Sequence, residues 1–215
     1  MRRLFVLCVF LVVFVFSGCK VEVALSVEKN TASGTAIVDV ESFLVAYWKD
    51  LSVNPDASVF DTERLADIDK QYKALDITGI DIPSDNRIVL KFVINDFSLL
   101  TEEIARISGK KAFRIDGNNF VVDADRELVL WFLSMMLGDI TTAEGFLPPS
   151  DISEEESAEY FTWVFEDYAA RDEILSMLKN TGLSLEFLGS KKSAWIPFMP
   201  VISGKSKTYK IGLAR

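Results

Sequence analysis

The sequence contains no histidine, only two cysteines among 215 residues, and no unbroken apolar run long enough to cross a membrane as a helix. Without histidine the chain loses the usual general base and the commonest metal ligand. A Ser–His–Asp triad is excluded outright. Positive charge is also short. Lys and Arg number 23 against 32 Asp and Glu, a net charge of −9 and a pI near 4.7. Nucleic acid, whose phosphates would repel such a surface, is not an expected partner. There is no G-x-S-x-G elbow. Gly204-Lys205-Ser206 resembles the end of a phosphate loop, but the position five residues earlier is Met199. Asp123 to Glu127 starts like a calcium loop, yet its sixth position is Leu128 and not glycine. No internal repeat, low-complexity block or long linker is present. What remains, 49% apolar and 26% charged residues, fits a chain that folds, and the length suits one ordinary domain or two small ones.

The amino end reads as an address. Met1-Arg2-Arg3 is followed by thirteen apolar residues, Leu4 to Phe16, and then by Ser17, Gly18 and Cys19. A basic start, a short apolar stretch and small residues before a cut make a secretory signal peptide over residues 1–18. Phe16-Ser17-Gly18-Cys19 resembles the lipobox of bacterial lipoproteins, although leucine is usual where Phe16 stands. That resemblance implies acylation (palmitate or a similar chain) of Cys19 as the first residue of a mature 19–215 domain. An ordinary signal peptide or an uncleaved short anchor is the alternative. Cys8 falls inside the apolar stretch, so cleavage leaves Cys19 alone and no disulfide can form within the mature chain. Acyl chains would hold the protein on a membrane without spanning it. The expected location is the cell envelope, outside the cytoplasm, on either the inner or the outer membrane.

Periodicity predicts an α+β fold, a mostly antiparallel sheet built from hairpins and packed against several helices. Val21, Val23, Leu25 and Val27 alternate with smaller or polar residues as a strand, a polar turn covers Glu28 to Gly34, and Thr35 to Val40 returns. Leu65, Ile68, Tyr72 and Leu75 mark a helix starting near Ser58. Strands follow at Asp76–Ile82 and Arg87–Ile94, then a helix over Ser98–Ser108 stopped by Gly109. Lys111–Ile115 and Phe120–Asp123 flank a strong hairpin turn, Asp116-Gly117-Asn118-Asn119. Ser153 and Glu156 form a capping box, and the helix behind it is expected to continue to about Asn180, with Gly182 as its stop. The acidic residues of its first turn match the helix dipole. Leu183–Leu188 and Lys207–Leu213 are the last strands.

Two segments attract functional attention. Leu128 to Leu137, LVLWFLSMML, is apolar on every side but Ser134, so it is either a core helix or the wall of a lipid cavity. Trp195 to Ile202 carries two prolines, which prevent a helix and limit any strand to an edge. Its large apolar residues either plug the core or form an adhesive patch. Trp131, Phe132, Met135, Trp195 and Phe198 are therefore the candidate ligand or partner surface. The lysines at 205, 207 and 210 could meet an anionic headgroup or protect an edge strand. Asp96, Asp116, Asp123 and Asp125 cluster near strand ends, where a carboxylate pair could cut a glycosidic bond. Any acidic protein supplies such pairs. No catalytic, metal or cofactor site is expected.

Gly18-Cys19, Val21 and Val23, a polar turn and Ser33-Gly34-Thr35 resemble the start of LppM-type bacterial lipoproteins, and Asn86 to Phe92 is similar to a later strand of that group. The resemblance implies a mixed α and β domain related to lipid-binding folds and an envelope lipid as ligand. The expected function is thus a membrane-anchored, non-catalytic binding domain for a lipid or other apolar ligand. A docking subunit of an envelope protein complex is the alternative, and a carboxylate hydrolase the third.

Overall fold

The computed structural model describes residues 20–51, 60, 72–108, 113–126 and 147–213. The expected leader, Cys19, the helix over Leu65 and Ile68, the start of the Lys111 strand, and the Leu128–Leu137 run with Trp131, Phe132 and Met135 lie outside those residues. The fold is α+β. A six-stranded sheet holds β1 (Lys20–Glu28), β2 (Thr31–Asp39), β3 (Leu75–Ser84), β4 (Arg87–Ile94), β7 (Gly182–Phe187) and β8 (Lys192–Pro197), in the order β3-β4-β2-β1-β7-β8. A three-stranded sheet, β5-β6-β9, is made of Phe113–Asp116, Asn119–Ala124 and Lys207–Gly212. The helices are α1 (Ser42–Leu51), α2 (Phe97–Ser108), α3 (Glu154–Phe165), α4 (Arg171–Asn180) and α5 (Phe198–Ile202).

Alternation gives the large sheet one covered face. Val21, Val23, Leu25 and Val27 of β1 stand opposite Val38, Ala36, Gly34 and Ala32 of β2, which stand opposite Ile88, Leu90, Phe92 and Ile94 of β4. On the other side, Leu183, Leu185 and Phe187 of β7 pair with Val21, Val23 and Leu25. Nearly all of these side chains are buried in one continuous core. The opposite face carries Glu22, Ala24, Thr35, Ile37, Val89 and Lys91, none of them buried.

Hairpins account for every strand pair but three. The β2–β4 and β6–β9 pairs join strands distant in sequence, and β1 pairs with β7 in parallel, from Lys20↔Gly182 to Leu25↔Phe187. A strand at the start of the chain therefore sits inside the sheet, between β2 and a strand from near the end.

Four expectations are corrected. The polar stretch Glu28–Gly34 is mostly strand: the turn is Lys29-Asn30, with Lys29 at φ 56°, and Ser33-Gly34 lies within β2. Small Ala32, Gly34 and Ala36 carry the covered face there, so polar neighbours masked the alternation. Leu75 opens β3 and does not close a helix. The long helix from Ser153 breaks into α3 and α4 around residues 166–170. Ala170 is extended there, at φ −67° and ψ 149°, and Arg171 at the start of α4 pairs back with Glu159 of α3. The start of α3 is as expected, with Glu156 N donating to Ser153 Oγ and Ser153 N donating to Glu156. The segment after Trp195 does form a short helix, α5, because Pro200 falls in its first turn, where the missing N–H has no intrahelical acceptor anyway.

Candidate functional site

A cavity of about 120 Å³ lies between the covered face of the large sheet, helix α2 and the small sheet. Val23 and Leu25 of β1, Phe92 and Ile94 of β4, and Leu183 and Leu185 of β7 form its floor. Phe97, Leu100, Thr101 and Ile104 come from one face of α2, spaced by three or four residues as a helix stripe must be. Phe113 and Phe120 close it from the small sheet. The phenylalanines touch edge to face or tilted, with Phe120 centred 5.5 Å from Phe97, 6.3 Å from Phe113 and 5.2 Å from Phe187. Such aromatic contacts hold the wall in one arrangement.

Gly34 explains why β2 contributes nothing to the floor. The Phe92 ring lies over it, and a Cβ there would stand 2.8 Å from Phe92 Cζ and 2.6 Å from the Ala24 carbonyl oxygen. The hairpin turn sets the position of α2. Asn30 O accepts from Phe97 N at 2.7 Å, and Asn30 Oδ1 accepts from Ser98 N and Ser98 Oγ. Asp96 completes the cap, accepting from Leu99 N and from Asn30 Nδ2, each at 2.8 Å. These bonds, the Leu99 amide first, hold the Asp96 carboxyl below its ordinary range.

The cavity offers a ligand no polar handle. Its one polar lining residue, Thr101, already donates its hydroxyl to Phe97 O at 2.9 Å. Water needs two to four polar partners in such a space, so the cavity suits an apolar occupant. Its size is close to that of the roughly 150 Å³ engineered cavity known to take benzene. It fits a small ring or the end of one alkyl chain. A whole diacyl lipid is far too large for it.

Of the residues singled out in the sequence, Phe198 and Trp195 lie among the described ones, and they are not together. Phe198 is buried as the first residue of α5. Trp195 is 40% exposed on β8, its ring against Gly182 on the open face of the sheet. Neither lines the cavity. The cavity residues were missed because a strand residue beside a void reads like one that fills it. The one available signal was the run of small residues on the inner face of β2, between two strands of large ones.

Two of the aspartates near strand ends, Asp96 and Asp123, have structural roles. Asp123 accepts from Thr208 Oγ1 at 2.6 Å and pairs with Arg114. Burial alone would raise its pKa, but Thr208, Arg114 and Lys210 outweigh that and hold it low. Asp96 caps α2, and Asp116 sits exposed at the β5–β6 turn. Among the described residues no group of three or more Cys, Asp or Glu side chains is placed to hold a metal ion, and no helix is long and apolar enough to cross a membrane. No family model, curated protein or solved structure matches the chain.

Proposed function

We propose that the protein is a bacterial envelope lipoprotein, acylated at Cys19 and non-catalytic, whose folded part binds an apolar ligand in the cavity beneath α2. The observation that carries the reading is that cavity, walled by aromatic and aliphatic side chains with its only hydroxyl already bonded. A preformed apolar cleft is the usual form of a small-ligand site. The volume narrows the ligand to a ring or a single alkyl chain whose remainder stays outside.

The test is mass spectrometry of an organic extract from residues Lys20–Arg215, purified without detergent. An apolar molecule in stoichiometric amount is expected, and Leu100→Phe, which puts a ring into the void, should abolish it while the protein stays folded. Enlarging a packed side chain costs about 1–3 kcal/mol, so the melting curve must be recorded beside the extract. A clean extract from folded protein that also ignores an added fluorescent fatty acid would overturn the reading.

A second reading, a docking subunit of an envelope complex, draws on Trp163. That ring is 67% exposed on α3, next to Tyr160. Large exposed aromatics are typical anchors of protein interfaces. An envelope protein that co-purifies with the chain and is lost on Trp163→Ala would favour it.

A further inference from the structure

We propose that the edge of the large sheet where β1 begins rests directly on the phospholipid headgroups of the membrane that holds the anchor, with Trp195 and Lys179 in contact with them. The inference depends on the lipoprotein reading of Cys19 and adds to it an orientation and a contact surface.

An anchor on Cys19 would have no slack. Lys20 is already a paired strand residue, opposite Asp39 on one side and Gly182 on the other. Consecutive Cα atoms are about 3.8 Å apart, so an acylated Cys19 would sit one step from a fixed row of the sheet. The headgroup layer is roughly 5–8 Å deep on each side of the hydrocarbon. A lipid on Cys19 would hold Lys20, Asp39, Gly182 and their neighbours at headgroup depth.

That edge also carries groups suited to headgroups. A groove of about 600 Å³ runs along it, lined by Lys20, Asp39, Glu41, Asn86, Lys179 and Trp195. Trp195 is one of the few large apolar side chains left exposed among the described residues. Its indole reaches over Gly182, where a Cβ would stand 2.4 Å from the ring, so it lies in the edge row itself. Tryptophan prefers the membrane interface, where one end of the ring is apolar and the other wet. Lys179 is exposed at the last turn of α4, and its long stem can lie along the surface while the ammonium meets a phosphate. The groove also offers a carboxylate at Glu41, while Asp39 is paired with Arg87 at 3.0 Å, so both signs of a zwitterionic headgroup have partners. Lys29 and Lys191, by contrast, sit in the turns beyond the far ends of β1 and β7, roughly 30 Å and 20 Å away at 3.3 Å per strand residue.

The full chain, made in a bacterium that processes lipoproteins, would be placed in phosphatidylethanolamine–phosphatidylglycerol vesicles. Solvent access would be read by amine labelling of Lys179 and hydroxyl-radical oxidation of Trp195. The reference is a variant with a flexible Gly-Ser spacer between Cys19 and Lys20. Both residues should react several-fold more slowly in the unmodified chain, with Lys29 and Lys191 unchanged. Acylated, vesicle-bound protein in which Trp195 and Lys179 react as fast as in the spacer variant would overturn the orientation and leave the anchor intact. An unmodified Cys19 in the intact-mass spectrum would overturn both.

Discussion

Gly34 is a glycine because the space a side chain would need is already filled. A Cβ would meet the Ala24 carbonyl oxygen at 2.6 Å and the Leu25 side chain at 2.9 Å, as well as the Phe92 ring. The backbone oxygen cannot step aside without breaking the β1–β2 register. Gly34→Ala is therefore expected to cost about 1–3 kcal/mol, as overpacking in a close-packed core does, and to lower the urea midpoint with the slope unchanged. Gly79 gives the contrast. It sits at an irregularity in the β3–β4 pairing, and a Cβ there would meet nothing closer than 3.7 Å from Lys91. Gly79→Ala should be neutral or add about 0.4–1 kcal/mol by restricting the unfolded chain. A Gly34→Ala midpoint equal to that of Gly79→Ala would contradict this account.

At the scale of elements, capping explains where helices start, and acid is its probe. Asp96 at the start of α2 and Glu156 in the capping box of α3 both have lowered pKa values, each chiefly through a bond from a backbone amide. Because the folded values lie below the unfolded ones, near 3.9 for Asp and 4.3 for Glu, the unfolded chain binds more protons in that window. The stabilisation is complete above the unfolded values and is lost as pH falls through the folded ones. Asp96→Asn should flatten the acid limb of stability against pH, lowering stability near neutrality and changing little below the folded value. An acid limb identical to wild type would remove Asp96 from the explanation. The α3 box was readable in sequence because its two partners are three residues apart. The Asn30 half of the α2 cap was not, since it reaches Asp96 from 66 residues away. The same distinction governs the rest of the fold. Periodicity exposed most strands, because burial on one face writes itself into alternate residues. It could not reveal the break between α3 and α4, where the extended Ala170 interrupts an otherwise helical pattern, or a cavity whose walls look like ordinary core.

At the scale of the whole molecule, the parallel β1–β7 pair joins the two ends of the described chain. β7, β8, α5 and β9 supply Leu183, Leu185, Phe187, Ile196, Phe198, Val201, Ile202 and Ile211 to the core. A chain ending at Thr181 would lack them and leave β1 with an open edge. It should show no cooperative unfolding transition in urea; a sharp transition from that truncation would mean the remaining elements form a core of their own. Pairing across so long a sequence separation also predicts slow folding, since its loop entropy is spent before the contacts form. The placement of β1 has a mechanical meaning too. Force applied at Lys20 runs along a strand bonded on both flanks, to β2 over its full length and to β7 over its first six residues. Such a load shears many hydrogen bonds at once, whereas a hairpin at the sheet's edge would unzip them one by one. A domain hung from its first strand in this way grips most firmly where it is pulled.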